Sequence, residues 1–124
     1  MSFYKSEHIS EPWFSLIVLG RKKIECRKNH GRFKEMKIGD IIQFLNNDFL
    51  LRTISVQIIR KKEYSNFKDC LIKEDLHKIL PGMDKYNLNT ALSVYRKYYT
   101  QEDEEKYGVI AIEFELLDEC LDVQ

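Results

Sequence analysis

The chain has 124 residues with 20 Lys/Arg balanced by 20 Asp/Glu, and a neutral total argues against avid, nonspecific coating of DNA. Apolar residues make up 44% and aromatics 12%, which excludes a disordered chain and allows one domain over residues 1–124. No apolar run approaches the roughly 20 residues of a membrane span. Met1 to Lys5 also lacks the basic-then-apolar plan of a secretion signal, so a cytoplasmic or nuclear setting is expected.

In chain order, Tyr4 to Ile9 reads as a first strand. Ser10-Glu11-Pro12 reads as a helix start, with Ser10 as N-cap and Trp13, Leu16 and Ile17 forming one stripe. Gly20 suits the left-handed end of that helix. A short basic strand follows, with Lys23, Glu25 and Arg27 on one face and Ile24 and Cys26 on the other. Asn29-His30-Gly31 is a turn, and Ile41 to Phe44 is a strand entered through Gly39-Asp40. Asn46-Asn47-Asp48 has hairpin-loop composition. Phe49 to Lys62 is a long strand in which Ile54, Val56 and Ile58 share a face.

Beyond Tyr64 the spacing turns helical, first over Asn66–His77 with Pro81-Gly82 closing it. Leu88, Leu92, Tyr95 and Tyr99 then recur at the helical interval, with Asn87 or Asn89 as cap. Gln101 to Lys106 is one acidic turn. Val109 to Leu116 alternates again, with Ile110, Ile112, Phe114 and Leu116 inward. The order β-α-β-β-β-α-α-β predicts an α+β fold, a small mixed barrel with flanking helices and antiparallel hairpin connections.

Cys26, Cys70 and Cys120 are an odd number without a CxxC pair, so three reduced, ordinary thiols are expected and Cys26 should be buried. His8, His30 and His77 make no spaced ligand set with them, so neither a metal nor another cofactor is expected. Charge is uneven. Residues 20–37 carry eight Lys/Arg against Glu25 and Glu35, whereas residues 101–124 carry nine Asp/Glu against Lys106. Either these segments neutralise each other or the first forms a basic cleft for an anionic ligand.

Three stretches together resemble the ASCH domain, named for activating signal cointegrator homology. They are Glu11-Pro12-Trp13-Phe14, then Gly20-Arg21-Lys22-Lys23-Ile24-Glu25-Cys26-Arg27, then Lys37-Ile38-Gly39-Asp40 through Phe44. Leu80-Pro81-Gly82, Tyr95 to Tyr99 and Lys106 to Ile112 resemble the distal half of the same family, so the likeness spans roughly residues 8–116. The resemblance implies a PUA-like barrel and an RNA-binding module, with a cleft between the barrel and the helix before the signature strand. Some small members are hydrolases, one branch removing the acetyl group of N4-acetylcytidine and another linked to cleavage of single-stranded RNA.

Set against that amidohydrolase branch, Lys22 matches its lysine, Glu25 stands where its threonine nucleophile should be, and Asp84 is the nearest match to its distant carboxylate. If the chain is an enzyme, Lys22, Glu25 and Asp84 are its catalytic candidates, with Glu25 as general base and Lys22 holding an oxyanion. As a binding module it would use Trp13, Arg21, Lys22, Lys23, Glu25 and Arg27. The arginines suit phosphate, Glu25 an exocyclic amine, and Trp13 a stacked base. The expected partner is RNA, a nucleotide or a nucleoside. A protein partner, met through the acidic C-terminal region, is the remaining alternative. Tyr95, Tyr98 and Tyr99 read as packing, Asp40 as a turn former and Arg60-Lys61-Lys62 as a solvated strand end.

Overall fold

The computed structural model describes residues 2–49 and 51–117. Cys120 and the last acidic residues, Asp118, Glu119 and Asp122, lie outside the described residues. Five strands, β1 (Phe3–Ile9), β2 (Ile24–Lys28), β3 (Ile41–Asn46), β4 (Thr53–Tyr64) and β5 (Val109–Leu116), form one curled sheet in the order β1-β3-β4-β5-β2. Between them run α1 (Trp13–Val18), α2 (Arg32–Glu35), α3 (Phe67–Lys73), α4 (Leu76–Ile79), α5 (Leu88–Arg96) and α6 (Gln101–Tyr107). The class is α+β, a half-barrel flanked by helices, as the sequence predicts. None of the described helices is long and apolar enough to cross a membrane.

One pairing departs from the expected hairpins. β1 runs parallel to β3, with His8 opposite Leu45 and Ile9 opposite Asn46. The chain between them, holding α1, β2 and α2, is long enough for the crossover that parallel strands require. β2 skips to the far edge and pairs antiparallel with β5. The two edge strands of the sheet are therefore close in sequence and, through the curl, face each other in space.

Two cores follow from this. Inside the curl, Phe14 and Ile17 of α1 and Phe33 of α2 meet Phe44, Ile58 and Phe114 of the sheet. On the outer face, Ile24, Val109 and Ala111 meet Phe67, Ile79 and Tyr95 of the helices, and Trp13 touches both clusters. β5 lies between β4 and β2 with both faces covered, so Val109, Ile110, Ala111 and Ile112 are all buried. Leu116, expected inward, is at the strand's end and 36% exposed.

Local chemistry moves several boundaries. Ser10 is not the cap of α1; the Glu11 carboxylate does that work, accepting from Ser15 N–H at 2.9 Å and Ser15 Oγ at 2.6 Å. The segment Asn66–His77 is two helices. Asn66 caps α3 and Asp75 caps α4, each accepting a backbone N–H, from Asp69 at 2.8 Å and His77 at 3.0 Å. The intervening Glu74 turns its carboxylate to Arg60 and Tyr64. α5 is entered through a 3₁₀ turn at Lys85–Asn87 capped by Asp84, and the acidic turn is α6, opened by a Thr100–Asp103 capping box. α2, a single turn over Arg32–Glu35, carries no periodicity that marks it in the sequence.

Candidate functional site

Gly20, at φ 74°, reverses the chain after α1, and the N–H groups of Arg21 and Lys22 both donate to Leu16 O, at 2.9 and 3.0 Å. That reversal aims Lys22 inward, where it is only 2% exposed. Its ammonium donates to Ile24 O at 2.9 Å and Ile79 O at 2.7 Å, and pairs with Glu25 Oε1 at 3.1 Å. Three donors meet three acceptors, so the charge is fully engaged inside the protein. Glu25 Oε2 accepts from Arg27 Nε at 2.9 Å and meets Nη2 at 2.8 Å. Arg27 in turn donates to His8 O at 2.9 Å, from β2 to β1, with its guanidinium 4.7 Å from the Phe33 ring centre.

Burial alone would raise the Glu25 pKa, but the attraction of Lys22 and then Arg27 outweighs it, holding the carboxyl below the usual carboxylate range. Arg27 stays a cation because Glu25, beside it, more than offsets the penalty of burial. The site therefore presents an ionised, pinned carboxylate between two pinned cations.

Beside this cluster, between the free edges of β1 and β2, opens a cleft of about 290 Å³. Trp13, Lys22, Glu25 and Arg27 line it. The remaining predicted residues lie elsewhere. Lys23 precedes β2 rather than belonging to it, is exposed, and spends its N–H on Lys78 O at 2.8 Å. Lys23 and Arg21 instead border a separate shallow groove with His77 and Lys78. Asp84 is a helix cap and does not line the cleft.

The tyrosines divide. Tyr95 and Tyr99 do pack, stacked on Phe67 with centroids 4.6 and 5.1 Å apart. Tyr98, which also lines the cleft, is 69% exposed at its rim. His8 and Asn47, joined at 2.9 Å, complete the opposite rim. No sequence pattern marks His8 or Asn47, since the parallel pairing of β1 with β3 brings them together. The exposed position of Tyr98, two residues past the end of α5, was the available hint for that residue.

Among the described residues, the basic segment is not neutralised wholesale by the acidic one. Of the cations at 20–37, Lys28 meets Asp103 at 3.9 Å, while Arg32 pairs with Glu7 and both Lys22 and Arg27 with Glu25. The strand end Arg60-Lys61-Lys62 is less solvated than expected. Arg60 bridges Glu74 and Glu113, and Lys61 donates to Lys34 O and Met36 O at 2.7 and 2.6 Å, closing the end of α2. Among the described residues no His, Cys, Asp or Glu group is placed to hold a metal.

The sequence matches the model of the ASCH domain over residues 8–118. The chain belongs to the ASCH domain family. This ASCH domain is similar to hypothetical protein PH0355, whose crystal structure superposes with a TM-score of 0.80 at 35% identity, covering 94% of this chain and 100% of that one. It is also similar to protein PF0455 of Pyrococcus furiosus, solved by NMR, with a TM-score of 0.73 at 34% identity over 94% and 98% of the two chains. The ASCH domain from Lactobacillus crispatus JV V101 shares the fold, with a TM-score of 0.57 at 15% identity over 93% and 79%. No curated protein matches the chain.

Proposed function

We propose that this ASCH domain binds RNA, a nucleotide or a nucleoside by taking one nucleobase into the cleft between β1 and β2. The observation that carries the reading is Glu25, an ionised carboxylate fixed by Lys22 and Arg27 on a cleft wall that also holds Trp13 and Tyr98. A fixed carboxylate accepts from an exocyclic amine, as carboxylates do from cytosine, and the aromatic side chains offer faces to the base. A volume of about 290 Å³ suits a single base with part of its sugar, not a duplex. In this reading Arg21 and Lys23, on the outer groove, serve phosphates that remain outside the cleft.

The hydrolytic alternative has less behind it. Lys22 has no proton left for an oxyanion, Glu25 is a weak base with its pKa depressed, and Asp84 lies away from the cleft. The test is titration with cytidine, N4-acetylcytidine and short single-stranded RNAs, following Trp13 fluorescence and heat. Saturable binding whose RNA affinity falls with added salt is expected. Release of acetate from N4-acetylcytidine, lost in Glu25→Gln, would replace binding with catalysis. Silence in both signals for every ligand would sink the proposal and leave a protein partner as the better reading.

A further inference from the structure

Where three ordinary thiols were expected, two of them touch. Cys26 Sγ on β2 lies 3.1 Å from Cys70 Sγ on α3, and the side chains are 1% and 0% exposed. A disulfide bond is about 2.05 Å long, so the sulfurs need approach by only about 1 Å. Each cysteine sits on a regular element packed into the outer core, which holds the pair in register. Although buried from bulk water, Cys26 is one of the residues that line the cleft.

We propose that Cys26 and Cys70 are a disulfide site, oxidised by hydrogen peroxide that enters through the cleft, and that the bond ties β2 to α3. The thiolate of Cys26 attacks the peroxide oxygen; the S–O bond forms, the O–O bond breaks and hydroxide leaves to be protonated to water. Cys70 then attacks the sulfenic sulfur, the S–S bond forms, and a second hydroxide leaves and takes up the proton of Cys70. Two thiols are oxidised by two electrons and one peroxide is reduced to two waters. Burial, then the neighbouring Cys70, pushes the Cys26 thiol well above its ordinary value, with Lys22, Glu25 and Tyr95 around it and Tyr64 beside Cys70. Few molecules are therefore thiolate at neutral pH, so oxidation is slow and speeds up as pH rises.

This inference does not depend on what the cleft binds. The experiment exposes the folded full chain carrying Cys120→Ser to hydrogen peroxide, alkylates remaining thiols under denaturing conditions, and reads intact mass and peptide linkage. The expected result is a loss of about 2 Da, a linked Cys26–Cys70 peptide pair, and a Tm increase of several degrees that dithiothreitol reverses. Two alkylated cysteines, or oxygen adducts of about 16 to 48 Da on Cys26 without a linkage, would overturn the site. A linked pair that leaves Tm unchanged would overturn the claim that the bond ties strand to helix.

Discussion

Lys22 Nζ lies 3.1 Å from Glu25 Oε1 with both side chains almost wholly withdrawn from water, at 2% and 7% exposure. Such a pair gives little net stability over an apolar one, yet removing one partner is expensive because the other is stranded. Lys22→Met should therefore cost about 3 kcal/mol in urea unfolding, since it also deprives Ile24 O and Ile79 O of their donor. A cost under about 1 kcal/mol would mean that water reaches Glu25 and the site is not as closed as described.

The same pair sets an acid sensitivity. The folded-state pKa of Glu25 lies below its unfolded value, so the proton binds the unfolded chain more readily. The resulting stability is present above the unfolded pKa of about 4.3 and is lost as pH falls through the folded one. Glu25→Gln should be the less stable protein at pH 7, with its two cations unpaired, and the gap to wild type should narrow below about pH 4. Thermal melts from pH 3 to 7 check this. A gap that widens on acidification would contradict the assigned shift.

If the cleft receives a base, Tyr98 is an exposed aromatic part of its wall. Tyr98→Ala should weaken binding of single-stranded RNA or nucleoside by roughly 5- to 100-fold, as loss of one stacking face does. Because the ring is 69% exposed, Tm should stay within about 1 °C of wild type. Tyr95→Ala would not separate binding from folding in this way, because Tyr95 stacks on Phe67 in the core.

Gly108 offers a test of the fold independent of the site. It stands between α6 and β5 at φ 73° and ψ −167°, a region reserved in practice for glycine. A Cβ there would also come within 2.9 Å of Tyr64 O, a backbone atom that cannot step aside. Gly108→Ala should lose at least about 2 kcal/mol. Gly20→Ala meets nothing within 4 Å and should lose about 1 kcal/mol, from backbone conformation alone. The reverse ranking in chemical denaturation would contradict the contact at Tyr64.

What the sequence revealed depended on how local the cause was. Gly20, the alternation of Ile54, Val56 and Ile58, and the buried face of Ile24 and Cys26 are set by near neighbours, and all could be read in advance. The helix breaks at Glu74 and Asp75 could not, because the ion cluster with Arg60 forms only once α3 folds back on β4. Strand β5 read as alternating because Glu113 and Glu115 dominate its end, although helices cover its other face near Val109. The site was half legible. The resemblance singled out Trp13, Lys22, Glu25 and Arg27, whereas His8, Asn47 and Tyr98 meet them only through topology.

Arg27 and its cleft also bear on the two edges of the sheet. A sheet ordinarily exposes a raw margin of unpaired amides and carbonyls at each side, inviting a strand from another molecule. Here the curl turns β1 and β2 toward each other, and one guanidinium spans the seam to the carbonyl of His8. Because one side chain holds that seam, a change at position 27 would uncover both margins and strand the buried Glu25 carboxylate in the same step.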